Sequence, residues 1–138
     1  GPYGRPDMAL FKFVKSITEG KKIELYNGGN HTRDFTYIDD AVDQLVKLIN
    51  KPPKTTKPFI ALNIASSKPI KLIKYIKIIE SNLKKKGKYL FKEKQIGDVE
   101  MTFASTQKIK KLIRYKTTTT IEIGIKRFIN WYKNYYKK

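Results

Sequence analysis

The sequence predicts a small α/β fold. Three observations carry this prediction: apolar runs of strand length alternate with amphipathic segments, about five segments have helical periodicity, and breaks containing glycine or proline separate them. The chain has 138 residues, which is the length of one domain, so we expect residues 1–138 to form a single unit.

Two helices and two β-type runs are predicted in the first half of the chain. A helix is expected over residues 6–19, where apolar residues recur every three positions, and a short strand over residues 23–26, between two glycines. A second β-type run is expected at residues 35–38. A helix follows over residues 40–50, and we place its apolar stripe in the core: Val42, Leu45, Val46 and Ile49.

The second half continues the alternation. Residues 51–58 contain three prolines and are expected to form a loop, and residues 59–65 form a nearly continuous apolar run, typical of a strand covered on both faces. Residues 72–83 are expected to be helical. An edge strand protected by lysines is expected at residues 88–94.

Two further helices are predicted near the C-terminus. Ser105 or Thr106 is expected to cap a short helix, and residues 119–122 fit a capping box that opens the last one. The inward stripe of the last helix is expected to be Ile121, Ile125, Phe128, Ile129 and Tyr132. The aromatic residues 131–136 could stack on bases, but at helical spacing they favour a core stripe.

The charge of the chain is strongly positive, at +18. This charge suggests nucleic acid as a partner. Only four of the 30 basic residues are arginines, however, and the lysines are spread along the whole chain. Since base-reading surfaces favour arginine, we interpret the lysines as solvated faces and regard nucleic acid as an improbable partner.

Several classes of protein and site are disfavoured by composition. The chain has no cysteine, so disulfides and thiolate metal sites are excluded. It has no apolar run of about 20 residues and no signal peptide, so we expect no membrane partner and a cytoplasmic location. Gly1 is not an initiator methionine, and we expect the chain to be a fragment of a longer protein.

The most informative stretch is residues 28–40. Its glycine-rich turn is followed by Arg33, whose planar guanidinium can form paired hydrogen bonds with a phosphate or a carboxylate. An ordinary hairpin turn with a surface Arg–Asp pair is the alternative. His31 is the only histidine and is interpreted as a solvated turn residue, so no metal site is expected. Asp39 and Asp40 are interpreted as acids at a helix N-terminus rather than as an acid/base pair.

Catalytic motifs are missing from the sequence. We find no dinucleotide-type glycine fingerprint after a strand, no P-loop, and no serine with a plausible base partner. The sequence therefore predicts a binding lobe without its reaction centre, with no catalytic residue and no cofactor-binding residue in this chain.

Four motifs are informative through their order and their spacing along the chain. They are residues 1–9 (GPYGRPDMA), 33–40 (RDFTYIDD), 97–99 (GDV) and 128–132 (FINWY). With them the chain resembles the C-terminal part of an extended short-chain dehydrogenase/reductase. Within that family it is most similar to the nucleotide-sugar epimerase/dehydratase branch and to UDP-glucuronate 4-epimerases. The resemblance implies the small substrate-binding lobe, with the Rossmann lobe absent from the chain. Lys116-Thr117 and Ser105 depart from the family pattern, away from the expected site.

The resemblance also implies a function. The parent protein would be an NAD-dependent epimerase that oxidises a UDP-sugar at C4, holds a keto intermediate and reduces it again, in the synthesis of precursors for surface or capsular polysaccharide. NAD and the catalytic tyrosine would belong to the missing Rossmann lobe, and the full-length protein would be a homodimer. This chain alone would be inactive. A dehydratase or decarboxylase of the same family is the alternative.

The resemblance assigns the polar substrate-binding residues as follows. Arg33 would clamp the pyrophosphate, and Asp98 would accept hydrogen bonds from the ribose hydroxyls. Gln95 would make a weaker contact beside the phosphates. Arg5 would approach the sugar carboxylate or a phosphate, and Tyr3 would line the same entrance.

The base would lie against the first strand and the first helix. Glu24, Leu25 and Tyr26 would bind the uracil edge through backbone N–H and C=O groups, so their side chains would matter little. Phe11 and Met8 would either pack against the uracil ring or, as core residues, position the helix.

Overall fold

The protein is described here by a computed structural model, which covers residues 1–52 and 59–137. These residues form five α-helices and two two-stranded sheets, so the prediction of an α/β fold is confirmed. In chain order the elements are α1 (Ala9–Glu19), β1 (Lys22–Tyr26), β2 (Thr32–Arg33), α2 (Ile38–Ile49), β3 (Ile70–Lys71), α3 (Leu72–Leu83), β4 (Lys88–Lys92), α4 (Gln107–Ile113) and α5 (Ile121–Tyr136).

Both sheets join distant parts of the chain. β1 pairs with β4 in parallel, with Lys22 opposite Lys88 and Tyr26 opposite Lys92. β2 pairs antiparallel with β3, and its Thr32 also bridges Met101. The parallel pairing is possible because α2, β3 and α3 carry the chain back between β1 and β4.

The core lies where α1, α3 and α5 pack together over β1. Each helix buries one stripe, as the apolar periodicity of residues 6–19, 72–83 and 121–132 predicts. Leu25 contributes from β1 at 0% exposure. The fully or almost fully buried side chains of the three helices include Val14, Ile17, Ile76, Ile79, Ile125, Phe128, Ile129 and Tyr132.

The predicted helix starts need small corrections. α1 begins at Ala9 rather than at residue 6, because the backbone turns first, with the N–H of Met8 donating to the carbonyl of Arg5. The N-cap of α5 is Thr120, whose hydroxyl accepts from the N–H of Ile123 at 3.4 Å. The predicted capping box of residues 119–122 is therefore wrong, because three residues after this N-cap stands Ile123 rather than an acid. Thr106 occupies the N-cap position of α4 but does not cap it, since its hydroxyl bonds to Ser67.

Two predicted β-type segments are not strands. Residues 35–37 have no regular structure and Ile38 already begins α2; the pairing stops at Arg33, after which Phe35 stacks on Tyr75 with ring centroids 4.1 Å apart. Residues 59–65 are likewise irregular, with Phe59 75% exposed, because no strand lies beside them among the described residues. The loop predicted at residues 51–58 lies mostly outside the described residues.

The prediction of a buried apolar stripe on α2 is wrong. The helix buries Asp40 and Gln44 instead. No other described element covers its apolar side, so those side chains face solvent at 46–75% exposure. We call this set the α2 apolar face: Ile38, Val42, Leu45, Val46 and Ile49.

Asp40 fastens the start of α2 to the segment before α5. Its carboxylate accepts hydrogen bonds from the hydroxyls of Tyr115 (2.9 Å) and Thr118 (3.1 Å) and from the N–H groups of Thr118 and Thr119. Burial alone would raise the pKa of Asp40, but these hydrogen bonds outweigh it and hold the pKa below its usual value. Its neighbour Asp39 only meets Arg127, at 3.3 Å, on the surface. Asp40 therefore is a structural tie rather than a simple helix-dipole acid.

None of the described helices combines the length with the apolar character that crossing a membrane requires.

Replacing the Asp40 tie is expected to destabilise the fold. Asp40→Asn should lower the free energy of unfolding by roughly 1–3 kcal/mol at neutral pH, because a buried charged acceptor is lost, whereas Asp39→Asn should change it by less than about 0.5 kcal/mol. The lowered pKa makes the Asp40 contribution present above the unfolded-state pKa of about 4 and lost as the pH falls through the folded-state pKa. Urea titrations at neutral and acidic pH measure both effects; equal losses for the two variants would contradict this role.

The exposure of the α2 apolar face gives a second expectation. Leu45→Ala, at a position 53% exposed, should cost less than about 1 kcal/mol in unfolding free energy, while Ile76→Ala, at 0% exposure, should cost about 2–5 kcal/mol. Chemical denaturation of the two variants compares them directly. A loss for Leu45→Ala as large as that for Ile76→Ala would mean that α2 is buried in solution.

Candidate functional site

A tight turn after β1 leads the chain into β2, which carries Arg33. Asn27, Gly28 and Gly29 all have positive φ angles, of 51°, 61° and 77°. Glycine adopts this left-handed region without steric cost, which explains the Asn-Gly-Gly sequence here. The turn places β2 beside the segment that contains Met101.

β2 holds that segment by its backbone. The N–H of Thr32 donates to the carbonyl of Glu100 at 2.8 Å, and the N–H of Thr102 donates to the carbonyl of Thr32 at 3.1 Å. The chain between residues 98 and 102 is thus fixed against β2, and the two most important predicted site residues, Arg33 and Asp98, are brought together.

The guanidinium of Arg33 is held by three acceptors. Its Nη2 donates to Oδ1 of Asp98 at 2.9 Å, and its Nη1 donates to the carbonyls of Thr32 (3.0 Å) and Glu100 (3.2 Å). A guanidinium has five N–H donors, so two have no acceptor among the described residues. The Arg33 side chain is 25% exposed. A fork oriented in this way can bind an oxyanion without first being ordered.

Asp98 lies in a turn where Gly97 has a φ of 83°. The N–H of Asp98 donates to the carbonyl of Gln95 at 3.2 Å, which places the exposed Gln95 on the same turn. The second carboxylate oxygen of Asp98 lies 3.2 Å from Nε2 of His31. A carboxylate offers about four acceptor positions, so Asp98 can still accept hydrogen bonds from a ligand.

His31 is not a solvated turn residue, and this prediction is wrong. It is only 3% exposed, and its carbonyl accepts a hydrogen bond from the N–H of Leu72 at 2.8 Å, which holds the turn against the start of α3. A lone histidine in a polar stretch gives no sequence signal of burial, because the burial comes from α3, which follows some forty residues later.

Asp34 is a second residue that sequence reasoning did not single out. Its carboxylate accepts hydrogen bonds from the N–H groups of Ser67 (3.1 Å), Lys68 (3.4 Å) and Ala104 (3.3 Å). Asp34 therefore ties two further segments to the end of β2. The only feature of the sequence that points to this role of Asp34 is its position next to Arg33, directly after a turn.

The residues predicted to bind a base lie on β1. Leu25 lies in the core at 0% exposure. Glu24 pairs with Lys92 at 2.6 Å, and this hydrogen bond holds the pKa of Glu24 below its usual value. β4 covers one edge of β1, and no described strand covers the other. That free edge can offer N–H and C=O groups to a flat polar ligand.

The remaining predicted residues surround the first helix. Phe11 is 5% exposed, within an aromatic cluster that includes Phe128 and Trp131, so it is a core residue of α1. Tyr3 is 78% exposed, and the guanidinium of Arg5 bonds to Asp7. Within the described residues, no hydrogen bond or ion pair joins Arg5 or Tyr3 to Arg33 or Asp98.

A cavity of about 580 Å³ lies beside the start of α1 and the start of α5. Met8, the last of the predicted residues, lines it with Phe35, Lys68, Lys74 and Tyr75. Burial raises the pKa of Tyr75. Arg33, Asp98 and His31 do not line this cavity, so the structure separates it from the arginine–aspartate pair. No cluster of three or more metal-ligating side chains occurs in residues 1–52 and 59–137.

Comparison with known proteins finds related sequences. Residues 1–65 match the family described as NAD dependent epimerase/dehydratase. The chain is 50% identical over 132 residues to an uncharacterized protein of Methanocaldococcus jannaschii, covering 96% of this chain and 39% of that protein. It is 37% identical over 153 residues to a probable UDP-glucuronate 4-epimerase of Rhizobium meliloti, covering 100% of this chain and 45% of that protein.

Solved structures show the same fold. The UDP-glucuronic acid 4-epimerase of Bacillus cereus, in complex with UDP-glucuronic acid and NAD, is 29% identical, with a TM-score of 0.86 over 99% of this chain and 43% of that one. The chain therefore spans less than half the length of the relatives it matches. By sequence and by fold, this chain belongs to the NAD-dependent epimerase/dehydratase family and corresponds to the C-terminal portion of its members.

Proposed function

We propose that this chain is the UDP-sugar-binding portion of an NAD-dependent epimerase, most specifically a UDP-glucuronate 4-epimerase. One observation carries the proposal: the fork of Arg33 is fixed by Asp98, 65 positions away, with two N–H donors left over. The names of the Rhizobium and Bacillus relatives support the substrate class.

Arg33 and Asp98 suit two adjacent groups of a nucleoside diphosphate. The free donors of Arg33 would bind a phosphate oxygen in a charge-assisted pair, and the free acceptor positions of Asp98 would take a ribose hydroxyl. Gln95, on the same turn as Asp98, can add a neutral donor beside the phosphates.

We assign the base to the edge of β1 that β4 leaves unpaired. The backbone groups of Glu24 and Tyr26 would pair with the polar edge of uracil, as strands pair with extended ligands. A backbone contact of Leu25, which is buried at 0% exposure, remains a prediction. Phe11 acts in this proposal by positioning α1 from the core, since its ring is buried. Met8, Arg5 and Tyr3 remain predictions as substrate-binding residues.

NAD does not fit the described residues of this chain. A dinucleotide site needs a strand, a glycine-rich turn and the N-terminus of a helix in succession. None of the described helices begins at a glycine: the N-cap residues are Met8, Tyr37, Lys71, Thr106 and Thr120. We therefore assign NAD to the remaining length of a longer protein, which the relatives possess.

The same longer protein would cover the α2 apolar face. An amphipathic helix whose apolar side is solvent-exposed usually marks an interface. We propose that the NAD-binding lobe packs on it. A homodimer of the whole protein, a cytoplasmic location and a role in surface polysaccharide synthesis remain predictions.

Alternatives within the family act on similar ligands. A dehydratase or decarboxylase could share this binding portion, and only the activity of the longer protein distinguishes them. Binding of nucleic acid by the many lysines is a different outcome, and a titration at two salt concentrations identifies it, since such binding weakens steeply with salt.

Arg33→Ala is expected to weaken binding of UDP-glucuronate to this chain by at least about tenfold, because two charge-assisted donors are lost. Arg33→Lys should recover little, since an ammonium lacks the fork. Isothermal titration calorimetry measures all three proteins. Arg127→Ala is the matched control: Arg127 also pairs with an aspartate, Asp39, but on the surface beside α2.

Circular dichroism of each variant establishes that it is folded. Saturable binding that Arg33→Ala removes and Arg127→Ala preserves would support the proposal. Equal affinity of the Arg33→Ala variant and the unsubstituted chain, or the absence of UDP-glucuronate binding by the unsubstituted chain, would contradict it.

A further inference from the structure

The buried imidazole of His31 has no role in the function proposed above. It is 3% exposed and is the only histidine of the chain. Its Nε2 has no hydrogen-bond partner among the described residues, although Oδ2 of Asp98 lies only 3.2 Å away. A buried polar atom without a partner is costly, so a small turn of the Asp98 carboxylate that completes this contact would be favourable.

We propose that His31 is a positioning residue: it holds the Asp98 carboxylate in place and thereby sets the affinity of Arg33 for a diphosphate. The inference rests on the function proposed above. Asp98 then stands between two donors, with Oδ1 at 2.9 Å from Arg33 and Oδ2 at 3.2 Å from His31.

The charge of Asp98 explains why this position matters. A carboxylate beside Arg33 offsets the charge of the guanidinium and repels an incoming phosphate. A donor at Oδ2 offsets part of that negative charge and keeps the carboxylate in the position in which Oδ1 orients the Arg33 guanidinium.

The other charged groups near His31 do not replace it. Glu100 lies on the same segment as Asp98 and is paired with Lys94 at 2.6 Å. From β3 and α3, the contact to His31 is a backbone one, the N–H of Leu72, while Lys71 stands opposite Thr32 and is exposed. Among the described residues, His31 is thus the side chain that lies against the second carboxylate oxygen of Asp98.

The test uses UDP-glucose, because it carries the diphosphate but lacks the sugar carboxylate. Its binding to each protein is measured by calorimetric titration at one pH near neutral. The variants are His31→Gln, which keeps a neutral donor, and His31→Phe, which keeps a ring without a donor. Melting temperatures of the unliganded proteins confirm that each variant is folded.

We expect His31→Phe to bind UDP-glucose about tenfold more weakly than the unsubstituted chain, because no donor then holds Asp98. His31→Gln, which keeps a neutral donor, should keep the affinity of the unsubstituted chain within about twofold.

A second readout uses the single histidine directly. The one imidazole signal in a heteronuclear NMR spectrum should shift when UDP-glucose is added, and this shift should be lost in Asp98→Asn. A purely structural histidine would lower the melting temperature when replaced, but the folded His31→Gln and His31→Phe variants would then bind UDP-glucose with the same affinity.

The outcomes separate the two proposals. If the unsubstituted chain binds UDP-glucose, but His31→Gln and His31→Phe bind it with the same affinity, the role of His31 is overturned and the proposed function stands. Binding of UDP-glucuronate without binding of UDP-glucose would also overturn only the role of His31, since the diphosphate contact would not hold a ligand. If the unsubstituted chain binds neither ligand, the proposed function is overturned and the role of His31 falls with it.

Discussion

The backbone pairing of residues 32–34 with the segment 100–104 is the constraint on which the rest of the site depends. Thr32 exchanges two backbone hydrogen bonds with that segment, and the Asp34 carboxylate binds the N–H of Ala104. These contacts fix the position of Asp98, which then orients the fork of Arg33. The site is therefore built less by its charged side chains than by the short strand that aligns them.

Much of the fold could be predicted because α1, α3 and α5 bury their apolar sides against one another within this chain. The apolar sides of these three helices pack together, so the periodicity of their apolar residues correctly predicted the core. The apolar patterns of α2 and of residues 59–65 are as clear, yet the α2 apolar face is exposed and so are Phe59 and Ile60. Periodicity shows that a surface needs a partner but not whether the partner belongs to the same chain.

The residues of the candidate site could likewise be predicted only in part. Arg33 and Asp98 could be identified from their motifs, and the structure places them in contact. The burial of His31 and the ties made by Asp34 and Asp40 could not, because each depends on groups more than thirty residues away. A carboxylate that binds backbone N–H groups leaves no mark on the sequence of its partners, since every residue except proline supplies such a donor.

The long sequence separation between contacting segments has a consequence for folding. Arg33 and Asp98 are 65 positions apart, and the parallel pairing of β1 with β4 spans a similar length of chain. Closing loops of this length is costly in entropy and slows folding, so local helices form before these contacts. The arginine–aspartate pair is therefore among the last features to be assembled. During synthesis on the ribosome, a chain that has not yet released residue 98 cannot present this pair, so occupancy of the site would mark a chain in which the two segments have met.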